Sequence, residues 1–201
     1  MESIGITSNI KKYYKGYIDF IDHYWIKVFQ KKNLNYILIP NNKILSDKCL
    51  NKIGILILSG GNDIQINKKE SKIRNKIEFN LIKKSLKKKI PILGICRGAQ
   101  LLNIYFKGRI RKAKGHMRNR HNIFLKKNKI FKKKLLNVNS FHNYVISTKD
   151  ISSKLEVIAI DKNKNIEMYI SPENQIIATM WHPEREKNLK NLYKIINFLK
   201  K

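Results

Sequence analysis

The stretch Ile90-Pro91-Ile92-Leu93-Gly94-Ile95-Cys96-Arg97-Gly98-Ala99-Gln100-Leu101-Leu102-Asn103 decides the fold. Its first half is a short apolar run of β-type residues, and its second half puts Leu101, Leu102 and then Phe106 on one helical face. A strand that turns into a helix this abruptly needs a tight elbow, and Gly94 and Gly98 stand two positions either side of Cys96. Gly-x-Cys-x-Gly is the thiol counterpart of the Gly-x-Ser-x-Gly strand-turn-helix elbow, whose small flanking residues let neighbouring chain approach the nucleophile. Cys96 is expected to project into solvent at the C-terminal edge of a sheet. There the helix dipole and the first free N–H groups favour thiolate over thiol, and the same amides can stabilise an oxyanion. Taken alone, the stretch also fits a structural cysteine packed beside two turn glycines.

Outward from the elbow, short β-type runs alternate with longer helical patterns. Ser3 to Thr7, Tyr36 to Pro40, Ile53 to Leu58 and Ile90 to Ile95 read as buried strands. Helical spacing joins Ile18, Ile21, Trp25, Val28 and Phe29, predicting a helix from Ile18 to Lys32; a second, Ser71 to Lys89, has Ile73, Ile77, Leu81, Ile82 and Leu86 as its stripe. Strands separated by helices long enough to cross over imply a parallel sheet covered on both faces. The second half instead has closely spaced strands at His121 to Lys126, Leu135 to Asn139, Leu155 to Ile160, Ile166 to Ile170 and Gln175 to Met180, with a hairpin turn at Asp161 to Asn165. A helix carrying Leu189, Leu192, Ile195, Ile196 and Leu199 follows. The expected fold class is α/β: a mostly parallel central sheet flanked by helices, with a small antiparallel part in the second half, in one domain spanning residues 1–201.

A second stretch, Thr179-Met180-Trp181-His182-Pro183-Glu184, carries chemistry of its own. Pro183 fixes the chain so that His182 and Glu184 share one extended segment. A histidine can take a thiol proton and return one to a leaving amine, while a carboxylate holds its imidazole in the required tautomer. A turn histidine preceding a proline is the structural alternative.

Composition limits the remaining classes. Forty-three basic residues against 14 acidic give a formal charge of +29, which ordinarily suggests nucleic acid. The lysines, however, occur in every segment beside equally overused Ile and Asn, as a biased genome would write weakly constrained positions, and aromatics do not interleave with them as base stacking requires. Nucleic-acid binding is therefore disfavoured, while an anionic substrate stays open. No apolar run approaches the roughly 20 residues of a membrane span, and the N-terminus shows no export pattern. With two cysteines, no CxxC and no HExxH, no metal and no cofactor are expected, and a cytoplasmic location fits reduced thiols.

Together these residues resemble the class I glutamine amidotransferase superfamily, and within it the γ-glutamyl hydrolase branch, peptidase family C26. The resemblance rests on four stretches in order: Ser59-Gly60-Gly61-Asn62-Asp63, Gly94 to Asn103, Val138-Asn139-Ser140-Phe141-His142, and Trp181 to Glu184. It implies a flavodoxin-like amidotransferase fold, Cys96 as nucleophile, His182 as general base and acid, and Glu184 as its orienting carboxylate. It also implies an oxyanion hole from the backbone amides of Gly61 and Arg97, and a glutamyl site involving Gln100, Asn139, Ser140 and His142. Two departures bear on the substrate: Asn143 replaces a second histidine, and Met180 a frequent glutamine. In length, and in Gly115-His116-x-x-x-Arg120-His121 and Met180 to Arg185, the chain is more similar to the γ-glutamyl-CDP-amidate hydrolases of capsule phosphoramidate synthesis. The expected partner is thus a small γ-glutamyl substrate, a nucleotide amidate among the options. The segment Arg109, Arg111, Lys112, Lys114, His116, Arg118, Arg120 uses arginine where the rest of the chain uses lysine. Bidentate phosphate contacts require arginine, which makes Arg118 and Arg120 candidate contacts to the leaving group. The competing expectation is a glutaminase subunit that passes ammonia to a synthetase.

Overall fold

The computed structural model describes residues 3–64, 68–112, 117–171, 173 and 175–200, without the side chains of Met117 and Arg118. Lys114, Gly115, His116 and the Arg118 side chain lie outside the described residues. One nine-stranded sheet runs through the molecule in the order β4-β1-β5-β6-β13-β12-β11-β8-β9. Its parallel half is β4 (Tyr36–Ile39), β1 (Ser3–Thr7), β5 (Ile53–Leu58), β6 (Ile92–Ile95) and β13 (Ile176–Thr179). From β13 onward, β12 (Ile166–Ser171), β11 (Glu156–Asp161), β8 (Met117–Leu125) and β9 (Leu135–Phe141) pair antiparallel. The antiparallel part is therefore the other wing of the same sheet. The Asp161 to Asn165 turn joins β11 to β12, its Asp161 carboxylate accepting from the Asn163 and Asn165 amides at 2.8 Å each. Two small ribbons, β2 (Asn9–Tyr13) with β3 (Gly16–Phe20) and β7 (Arg111–Lys112) with β10 (Tyr144–Val145), stand apart from the sheet.

The period-two pattern of the central strands explains why both faces are covered. Ile55 and Ile57 of β5 and Leu93 and Ile95 of β6 pack with Trp25, Val28 and Phe29 of α1 (His23–Lys31) and Leu192, Ile195, Ile196 and Leu199 of α5 (Lys190–Leu199). Leu56, Leu58 and Ile92 point the other way, onto Leu50 of α2 (Lys43–Leu50), Ile77, Leu81 and Ile82 of α3 (Lys69–Lys88) and Leu101 and Leu102 of α4 (Arg97–Tyr105). Each fully buried Leu or Ile contributes about 2 kcal/mol before entropy is charged against it, so the two faces hold the sheet and everything at its edge in a fixed frame.

Two local expectations are corrected. The helix expected from Ile18 begins at His23, where the Asp22 carboxylate accepts from the Tyr24 amide at 3.0 Å; Ile18 lies instead in the β2–β3 hairpin. Tyr17, Ile18 and Phe20 are strand formers, and the turn before them uses Tyr14 at φ 50° followed by Gly16. In α3 the buried stripe is rotated from the expected one. Ser71, Arg74, Ile77, Glu78, Leu81, Ile82 and Ser85 are buried, so that Arg74 and Glu78 lie on the inner face, while the expected Ile73 and Leu86 are only partly buried.

Candidate active site

The sheet order assembles the site. β6 lies between β5 and β13, neighbouring strands are about 4.8 Å apart, and all three run the same way, so the segments leaving their C-terminal ends converge. The segment after β5 is Ser59-Gly60-Gly61, that after β6 is Cys96, and that after β13 leads within three residues to His182.

Cys96 adopts φ 49° and ψ −99°, a conformation uncommon outside glycine and characteristic of functional positions held by their surroundings. The hold is visible: the Cys96 amide donates to Thr179 O at 2.7 Å, and the Gln100 amide donates to Cys96 O at 3.0 Å. The flanking glycines are needed for space. A Cβ on Gly94 would lie 2.6 Å from Leu102 Cδ1, and one on Gly98 would overlap the Leu58 carbonyl. The elbow thus turns directly against the end of β5. Contrary to expectation, Cys96 does not project into solvent; it is 6% exposed and lines the floor of a cleft of about 200 Å³.

His182 lies in the same cleft as Cys96, which is among the groups that act on its charge. Its Nδ1 is 2.6 Å from Glu184 Oε1, which leaves Nε2 for the thiol side. The segment is not extended as expected: Pro183 opens the 3-10 turn Pro183–Arg185, and that turn brings Glu184 to the ring. The histidine backbone is bracketed by Asn139: its Oδ1 accepts from the His182 amide at 2.9 Å, and its Nδ2 donates to His182 O at 2.8 Å. Phe141 meets the ring edge to face at 5.7 Å. Burial works against a charged imidazole here, but the carboxylate of Glu184 and then Cys96 outweigh it, and His182 is pushed up to about 10. A histidine that keeps its proton beside a cysteine is the partner a thiolate requires.

The remaining expected residues fall in different places. Gly61, Arg97, Gln100 and His142 line the cleft with Asp63, Asn143 and Tyr144. Arg97 opens α4, where the amide has no preceding helical carbonyl to serve, and Gly61 has φ +93° with Asn9 packed against its Cα. Gln100 is buried, its Nε2 donating to Tyr144 O at 3.1 Å. Asp63 is the one carboxylate among the described cleft residues; desolvation raises its pKa. Behind His142 stands the fully buried Glu167, with Oε1 3.8 Å from His142 Nε2 and 3.3 Å from His121 Nε2. Asn139 acts on the histidine backbone and not on the cleft wall, and Ser140 is fully buried in β9. Of the arginines after the elbow helix, Arg111 pairs with Asp150 at 2.5 Å, and Arg120 with Glu186 at 3.1 Å. Arg120 also lines a second cavity of about 840 Å³, with Lys132, Lys133, Lys187, Lys190 and Lys194. Arg185 lines both this cavity and the Cys96 cleft.

Sequence reading did not single out Arg74 or Glu78, and it put Asn139 near the glutamyl site, where the structure has it bracketing the His182 backbone. Arg74 and Glu78 had a readable signal: charges on a stripe whose neighbours Leu81 and Ile82 are core residues must be paired when buried.

Comparison with known proteins agrees with this architecture. The model of the family Peptidase C26 matches residues 3–184. A γ-glutamyl-CDP-amidate hydrolase of Campylobacter jejuni is 37% identical over 142 residues, covering 70% of this chain and 66% of that protein. One subunit of the glutamine-hydrolysing GMP synthase of Methanococcus vannielii is 29% identical over 182 residues, covering 84% and 90%. The crystal structure of a glutamine amidotransferase from Thermotoga maritima superimposes with a TM-score of 0.72 at 19% identity, over 100% of this chain and 83% of the other. A sheet whose parallel half is covered by helices on both faces, the cysteine elbow after β6 and a family match spanning nearly the whole chain make this protein a member of the peptidase C26 family, with the class I glutamine amidotransferase fold.

Proposed function

We propose that this chain hydrolyses a γ-glutamyl amide through a thioester on Cys96. The observation that carries the reading is the line Cys96, His182, Glu184, with the imidazole fixed by a 2.6 Å bond to the carboxylate and its other nitrogen left for the thiol. The thiolate attacks the amide carbonyl, and the negative charge that develops on oxygen faces the Gly61 and Arg97 amides. The imidazolium gives its proton to the departing nitrogen, the C–N bond breaks, and a γ-glutamyl thioester stays on Cys96. Neutral His182 then takes a proton from water as its oxygen attacks the thioester. Collapse of the second tetrahedral intermediate releases glutamate and restores the thiolate–imidazolium pair. In this reading Gln100 and His142 hold the glutamyl group, and Asp63 receives its α-ammonium.

The leaving group belongs outside the cleft. About 200 Å³ is below the roughly 300–1,000 Å³ of pockets that enclose drug-sized ligands, which suits a glutamyl group in the cleft with the leaving group reaching beyond it. The neighbouring basic cavity, which shares Arg185 as a wall residue with the cleft, supports an anionic leaving group, a nucleotide phosphoramidate among them, with Arg120 in its lining; Arg118 belongs to the same expectation. Similarity to the Campylobacter jejuni hydrolase supports it too. Two free cysteines, one of them the nucleophile, suit a reducing cytoplasm; among the described residues no helix is long and apolar enough to cross a membrane. The test is hydrolysis of matched γ-glutamyl amides with phosphate-bearing, neutral and cationic leaving groups at two salt concentrations. The phosphate-bearing amide is expected to be preferred, and to stay preferred at high salt; preference for the cationic amide removes the anionic reading.

Similarity to the Methanococcus vannielii GMP synthase component favours a second reading, a glutaminase subunit that hands ammonia to a partner. Glutamate release by the purified chain alone, from amides other than glutamine, separates the two.

A further inference from the structure

The buried face of α3 carries an arginine and a glutamate one turn apart, and neither touches the reacting groups. Arg74 is wholly buried and commits its guanidinium to the segment that leaves β5. It donates to Ser59 O at 2.8 Å, Ser59 Oγ at 2.9 Å, Gly60 O at 3.2 Å, and the Asn9 and Asn62 side chains at 2.6 and 3.1 Å. Its Nε donates to Glu78 Oε1 at 3.1 Å. The same oxygen accepts from Thr7 Oγ1 at 2.6 Å, and Thr7 Oγ1 in turn accepts from the Ser59 amide at 3.1 Å. The other carboxylate oxygen of Glu78 binds the guanidinium of Arg97, the residue directly after the nucleophile, which is further tied to Asn75 at 2.5 Å. One carboxylate thus joins the Ser59-Gly60-Gly61 segment to the first residue of α4, and these two segments carry the Gly61 and Arg97 amides.

Resting on the γ-glutamyl hydrolase reading, we propose that Arg74 and Glu78 are positioning residues that set the distance between the two backbone donors of the oxyanion hole. A buried ion pair is a poor device for stability alone, since well-packed apolar residues of similar volume often do as well. What this one supplies is direction: its hydrogen bonds converge on backbone and side chains of the two oxyanion segments and on the ribbon packed beneath Gly61. The three ionised groups, Arg74, Arg97 and Glu78, also sum to one positive charge behind those donors. Burial and then Arg97 lower Arg74 to about 10, still charged at neutral pH, and Glu78 is held below its usual value because Arg74 and Arg97 outweigh its burial.

The experiment compares wild type, Arg74→Lys and Glu78→Gln in three measurements: steady-state hydrolysis of a γ-glutamyl amide, inhibition by the product glutamate, and alkylation of Cys96 by iodoacetamide. Alkylation by iodoacetamide passes through no oxyanion. Misplacing one donor is expected to lower kcat by about 10- to 100-fold, with KM, glutamate inhibition and the iodoacetamide rate all within about threefold of wild type. A purely structural role would depress all of them together, and that result overturns the proposal, as does an unchanged kcat. If neither variant folds, Asn9→Ser, which removes a single arm of the Arg74 cluster, is held to the same criteria. A wild type that releases glutamate from no γ-glutamyl amide, yet is alkylated normally, rejects the hydrolase reading and this inference with it.

Discussion

Gly60→Ala is expected to disable the site through the histidine. The backbone does not forbid the change: among the described glycines only Gly61 has a positive φ. The obstacle is a neighbour, because a Cβ at position 60 would sit 2.6 Å from His182 Cε1 and 3.4 Å from Nδ1. Carbon atoms in contact rest at about 3.5–4.0 Å, so the ring or the loop must move by about 1 Å. The ring has little freedom to do so, being held by Glu184 at 2.6 Å, with its backbone bracketed by Asn139 at 2.8 and 2.9 Å. A displacement of that size in a catalytic group lowers the rate by about 10²-fold, or about 2.7 kcal/mol of transition-state stabilisation. Overpacking on this scale costs about 1–3 kcal/mol of stability as well. The assay is kcat/KM for a γ-glutamyl amide, with thermal unfolding followed in parallel to show that the variant is folded. A Gly60→Ala enzyme with wild-type kcat/KM would refute the claim that the β5 loop closes directly on the catalytic imidazole.

Cys96→Ser and Cys96→Ala are expected to abolish glutamate release while unfolding near the wild-type temperature, whereas Cys49→Ser, in α2, keeps full activity; the reverse pattern moves the nucleophile. His182→Ala should lose several orders of magnitude and Glu184→Gln fewer, because the carboxylate acts through tautomer and orientation; small, equal losses in single-turnover assays would remove both from the mechanism. Activity should fall at high pH as the His182 imidazolium, held up to about 10, loses the proton that the leaving nitrogen needs. Glu184 is the largest of the influences raising that value, so Glu184→Gln should move the alkaline limb to lower pH; a limb that stays in place assigns it to another group.

The parts of this site that were legible in the sequence are those whose chemistry demands particular residues at short, fixed spacing. Gly94, Cys96 and Gly98 are constrained by one turn of chain, and His182 and Glu184 by a single proline between them. The strands around them were legible because β5 and β6 are buried on both faces and read as continuous apolar runs. The start of α1 was not, because Ile18 and Ile21 happen to continue the spacing of Trp25 and Val28, while the hairpin that claims Ile18 is decided by its pairing with Lys11. Nor was the pairing of Arg111 and Arg120, which depends on Asp150 and Glu186, far along the chain. Arginine used against a lysine background therefore marked positions where a planar guanidinium is needed without saying whether a carboxylate or a phosphate meets it.

Arg74 and Glu78 lie between these cases. Once Ile77, Leu81 and Ile82 fix the phase of α3, an arginine and a glutamate four residues apart fall on its inner face, and buried charges of opposite sign at that spacing imply each other. Their mutual bond is the local part. It cannot satisfy a guanidinium with five donors or a carboxylate with four acceptor sites, so both must reach out of the helix. The helix packs beside the C-terminal ends of β1, β5 and β6, and the polar groups within reach there include those of Thr7, Asn9, Ser59, Gly60, Asn62 and Arg97. A buried charge pair on a crossover helix therefore points toward the end of a parallel sheet where backbone leaves the strands, which is where Cys96 and the Ser59-Gly60-Gly61 segment lie.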